Sequence, residues 1–109
     1  MHPDHQTFLD GILALKKVSL TWFSQDDGMT MTRKCAPMDY GPSRRNLRVN
    51  PPRYHFWDYE SDEGPHTLSL TAEQVGSIHS TTESFHPSEF VTWNTPWIYP
   101  RDWGEYSLS

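Results

Sequence analysis

The chain has 109 residues, a single cysteine, 14% aromatic residues and a formal net charge of −5. That length fits one domain, residues 1–109, around a single core, and the negative balance argues against a dedicated nucleic-acid binder, whose footprint is usually basic. Cys35 has no partner for an internal disulfide. There is neither a signal-peptide pattern nor an apolar run long enough to span a bilayer, so the expectation is a cytoplasmic protein with no membrane contact.

Residues 4–17 predict an amphipathic helix. Phe8, Leu9, Ile12, Leu13 and Leu15 recur at three- and four-residue spacing, Asp4 is placed to cap the start, and Lys16 and Lys17 suit the negative end of the dipole. From Val18 the period changes to two: Val18, Leu20 and Trp22 alternate with Ser19, Thr21 and Phe23. The turn Gln25-Asp26-Asp27-Gly28 then leads into the run 29–35, which completes a hairpin. Gly41, Pro42, Pro51 and Pro52 predict a long loop over residues 38–53.

A second hairpin follows, its strands 54–59 and 66–71 joined by the acidic, Gly-Pro-bearing turn Glu60 to Pro65. Residues 72–75 suit one helical turn, and the β-branched run 78–85 suits a fifth strand. In the extension 91–109, Pro96 and Pro100 exclude a continuous helix or central strand, so Trp93, Trp97, Tyr99 and Trp103 are expected along an extended segment laid on some surface. The fold expected is mainly β: a small five-stranded SH3-like or Sm-like barrel (18–90), with one N-terminal α-helix and an aromatic C-terminal tail.

The order of these parts resembles the WYL domain, a small Sm-like barrel found mainly in bacterial regulators. The resemblance is carried by Val18-Ser-Leu-Thr-Trp-Phe with the Asp27-Gly28 turn, by Thr32-Arg33-Lys34-Cys35-Ala36-Pro37, and by Tyr54-His55-Phe56 where the family has its Trp-Tyr-Leu signature. Leu68-Ser-Leu with Val75 and Ile78, and Phe85-His-Pro-Ser-Glu-Phe90, complete it. It implies a stand-alone, divergent WYL-like module, because seventeen residues ahead of Val18 do not hold the helix-turn-helix that precedes the barrel in typical members. The family tends to place anion-recognising arginines before the fourth strand and in the turn after it. This chain has Pro65-His66 and Glu73-Gln74 there, so that role does not carry over to these positions.

Charge is segregated along the chain. Residues 33–53 hold six cations (Arg33, Lys34, Arg44, Arg45, Arg48, Arg53) and one anion, a local +5 that leaves −10 for the rest. Guanidinium forks match phosphate and carboxylate oxygens, and an adjacent aromatic stacks on bases. Arg33, Arg44, Arg45, Arg48, Arg53 and Tyr54 are therefore the candidate site for an anionic ligand, a nucleotide or a nucleic-acid backbone. The ordinary alternative is that these arginines solvate a loop or pair with the acidic turn at Glu60 to Glu63.

The six histidines show no metal-ligand spacing, and His2 and His5 are expected at a frayed terminus, so neither a metal nor another cofactor is implied. Cys35 in an alternating strand reads as a small buried side chain rather than a nucleophile, and no catalytic motif occurs. The rival function is a protein-interaction or structural module in which Trp93, Trp97, Tyr99 and Trp103 dock a protein partner or a second copy.

Overall fold

The structure, a computed structural model, describes residues 2–25, 27–42, 52–60, 64, 66–91 and 97–106. Its elements in chain order are α1 (His5–Ala14), β1 (Lys16–Ser24), β2 (Met29–Gly41), β3 (Arg53–Asp58), β4 (His66–Thr71) and β5 (Val75–Ser84), followed by single 3-10 turns at Pro87–Glu89 and Gly104–Tyr106. The five strands form one antiparallel sheet in the order β4-β3-β2-β1-β5. The expected mainly β, five-stranded barrel-like fold with an N-terminal helix is what the chain adopts.

β2 sets the curvature. Its first half, Met29 to Cys35, pairs with β1, and its second half, Cys35 to Gly41, pairs with β3, so Cys35 alone has a partner on both sides. The register shifts between Pro37 and Asp39. Proline lacks the N–H that a central strand must donate and is tolerated at such a bulge, which also bends and twists the strand. The edge strands β4 and β5 are joined by a short turn in which Gln74 N–H donates to Thr71 O (3.0 Å) and the Thr71 N–H to Gln74 Oε1 (2.9 Å). That short link brings the two ends of the sheet toward each other.

Two expectations are corrected at β2 and α1. Residues 38–41 belong to a strand rather than a loop, because the bulge accommodates Pro37 and β3 supplies partners as far as Gly41. α1 stops at Ala14: Leu15 takes a left-handed conformation and its N–H closes onto Gly11 O, so Lys16 and Lys17 open β1 instead of ending the helix. Asp4 makes no side-chain cap. Its carboxylate instead accepts the Ile78 N–H of β5 at 2.9 Å.

Alternation along β3 sorts its side chains onto two faces. Tyr54, Phe56 and Asp58 point inward and are buried, and Arg53, His55 and Trp57 point outward. The inner face is covered by α1, whose Phe8 ring meets Tyr54 and Phe56 edge-on at 5.0 and 5.1 Å. Val18, Leu20, Ile78 and Ile12 fill the same core.

The segment after β5 reaches the outer face, where Phe90 stacks on Trp57 (5.7 Å), and the tail's Trp103 packs edge-on against Phe85 and reaches α1, donating its Nε1–H to Ile12 O (2.8 Å). A Cβ on Gly41 would lie 2.5 Å from Ile98 Cδ1, so the glycine lets the tail lie close on β2 without moving the end of that side chain. The described tail aromatics thus rest on the chain's own barrel; Trp93 lies outside the described residues.

Candidate anion-binding site

The tail is pinned by one carboxylate. Asp39, 6% exposed, accepts the backbone N–H groups of Ile98 (2.8 Å), Tyr99 (2.9 Å) and Tyr40 (3.0 Å), and the Arg101 Nη2–H at 2.9 Å. Arg101 also donates through Nη1 to Met38 O and through Nε to Tyr99 O (3.1 Å), and its guanidinium lies 4.1 Å over Trp97 and 4.4 Å over Trp103. Burial brings the Arg101 pKa down to about 10 against the opposing pull of Asp39, so it stays charged at neutral pH. Every part of this guanidinium is engaged, which makes it a fastening rather than a ligand site.

The candidate arginines divide. Arg44, Arg45 and Arg48 lie outside the described residues. Arg33 sits in the half of β2 that pairs with β1, on the inner side of the sheet. Its Nη1 is 3.7 Å from the buried Asp58 carboxylate and donates to the Glu60 carbonyl. The acidic turn therefore does engage Arg33.

Arg53 lies opposite Gly41, eight residues further along β2, on the order of 25 Å of strand. Its Nε is buried and has no hydrogen-bond partner among the described residues. The strands thus hold the two arginines apart, Arg33 before the β2–β3 ladder begins at Cys35 and Arg53 at its Gly41 end. The Arg53 end is where the connection bearing the other three arginines leaves β2 and enters β3.

Tyr54 follows Arg53 in sequence but faces the other way. It is 0% exposed, packed between Phe8 and Tyr40, so its ring offers no face for an external base to stack on. The alternation of β3 was itself the signal that neighbours in sequence would part at this point.

The N-terminal histidines are not frayed. His2 Nε2 lies 3.1 and 3.2 Å from the Val75 and Gly76 carbonyls, and His5 Nδ1 lies 2.9 Å from the Tyr54 hydroxyl. His55, on the outer face, bridges Ser69 Oγ (2.7 Å) and Gly41 O (3.0 Å). These partners lie far away in the chain, and no local pattern announces them. Among the described residues no three His, Cys, Asp or Glu side chains converge as metal ligands.

Cys35 is fully buried. Burial above all, and then the charges of Asp58 and Glu60, push its thiol well above the usual range, so no thiolate is available near neutral pH. No helix of the described residues is long and apolar enough to cross a membrane.

Comparison with protein-family models, curated proteins and solved structures found no match for this chain.

Proposed function

We propose that the chain is a non-catalytic binding module of WYL-like character. It holds an anionic ligand, a nucleotide or nucleic-acid backbone, at the Arg53 end of the β2–β3 ladder, with Arg44, Arg45 and Arg48 joining from the 42–52 connection. The observation that carries this reading is the buried Arg53 Nε with no acceptor among the described residues. A buried donor left without a partner costs roughly 1–3 kcal/mol, and a phosphate or carboxylate oxygen arriving there would remove that cost. Arg33, engaged by Asp58 and Glu60, stands outside the proposed site.

The test is titration of a fluorescent single-stranded oligonucleotide and of a nucleoside triphosphate at two salt concentrations. Binding is expected to weaken steeply with salt and to disappear when Arg44, Arg45 and Arg48 are changed to Glu; salt-insensitive binding, or binding that survives the triple change, contradicts the reading.

The second reading, a protein-interaction module or homodimer built on the aromatic tail, is favoured by Ile98, an apolar tail side chain that stays 48% exposed. It requires a dimer or captured partner that is lost on Ile98→Asp, with the barrel still folded.

A further inference from the structure

We propose that residues 2–15 form an acid-released clasp whose latch is the hydrogen bond between His5 and Tyr54. The Tyr54 hydroxyl accepts the His2 backbone N–H at 3.1 Å and lies 2.9 Å from His5 Nδ1. A phenol has one hydrogen to donate, and a backbone N–H accepts none. His5 Nδ1 is therefore the acceptor for the Tyr54 hydrogen among the described residues, which requires the neutral tautomer with its hydrogen on Nε2. A proton added at Nδ1 turns that acceptor into a donor. The hydrogen of a fully buried hydroxyl is then stranded, and such a group is costly to leave unpaired.

The surroundings of His5 act in the same direction. Tyr40 of β2 meets its ring edge-on at 4.6 Å, and Tyr54 of β3 meets it at 5.7 Å. Burial, and secondarily the positive charge of the chain's amino group, hold His5 below the ordinary imidazole range. Burial also pushes the Tyr54 phenol up, so it keeps its proton. Within the arm, the charged or titratable neighbours are His2 and Asp4. His2 Nδ1 accepts the Asp4 N–H (2.9 Å) and lies 3.9 Å from the Asp4 carboxylate. From β5 the contacts are backbone groups: the Val75 and Gly76 carbonyls at His2 and the Ile78 N–H at Asp4.

The sign follows from linkage. His5 binds its proton less readily in the folded arm than in a released one, so its contribution is complete above the ordinary value of about 6.5 and declines as the pH falls below it. Release lifts Phe8 from Tyr54 and Phe56 and uncovers the inner face of the sheet.

Backbone amide exchange of the full chain between about pH 7.5 and about pH 5.5, corrected for intrinsic rates, tests the clasp. Protection in α1 is expected to fall toward acid by up to about tenfold per pH unit, the limit for one proton, while β1 amides keep theirs. Nitrogen shifts of the His5 ring are expected to show Nδ1 unprotonated at neutral pH. His5→Asn keeps an acceptor for Tyr54 without titrating, and its α1 protection is expected to lose the pH slope. An Nδ1-protonated tautomer, an unchanged slope in His5→Asn, equal loss in α1 and β1, or no acid loss at all would each overturn the proposal.

Discussion

Arg33 stands just before the β2–β3 ladder begins and Arg53 at its far end, and their surroundings differ more than their positions. At the Asp58 end charges are matched: Arg33 faces Asp58, Lys34 pairs with Glu83 at 2.7 Å, and Tyr59 donates to Glu89 at 2.9 Å. At the other end Arg101 is equally well met, saturated by Asp39, two carbonyls and two indole faces. Arg53, opposite Gly41 and two residues along from Asp39 on β2, has a buried nitrogen that nothing among the described residues meets. A cation that a fold has matched is structural. A donor nitrogen that it buries without a partner among the described residues is where an external anion gains most, because the desolvation of that group has already been incurred.

The contrast makes graded demands on mutants. Asp39→Ala strands the Arg101 guanidinium and frees the Ile98 and Tyr99 amides, and the expected loss is about 3–5 kcal/mol. Thermal melting should register it, with tryptophan emission shifting to the red as the tail lifts off the barrel. Asp58→Ala leaves Arg33 without its carboxylate. Because Arg33 keeps the Glu60 carbonyl, about 3 kcal/mol is expected, read from denaturant midpoints at unchanged m-value.

Gly41→Ala forces the end of the Ile98 side chain aside. The effect should be about 1 kcal/mol and confined to the tail, as local amide exchange would show. Arg53→Met removes a buried donor that has no partner among the described residues, so stability should hold or rise by up to about 1 kcal/mol. A drop comparable to that of Asp58→Ala would mean that Arg53 is a structural cation after all.

The local patterns read well because they depend on near neighbours. Alternation at Val18 to Phe23 and at Tyr54 to Tyr59 marked strands, and the stripe Phe8, Leu9 and Ile12 marked the helix that covers them. What stayed hidden depends on distant partners. Pro37 and Gly41 look like breakers until β3 pairs alongside and a bulge absorbs the proline. His2 and His5 look like a loose end until Tyr54 and the first residues of β5 arrive from more than forty residues away. Clustering in sequence also misleads within a sheet: Arg33 and Arg53 belong to one basic stretch, yet the strands separate them, and Tyr54 turns its back on the arginine beside it.

The most direct measurement compares Arg53→Gln with Arg33→Gln in titrations of one polyanion, a short single-stranded oligonucleotide, at low salt. Loss of affinity on Arg53→Gln, with Arg33→Gln retaining that of the unaltered chain, is the result expected if the unmatched arginine holds the ligand. Equal losses in both, or undiminished binding in Arg53→Gln, would contradict it.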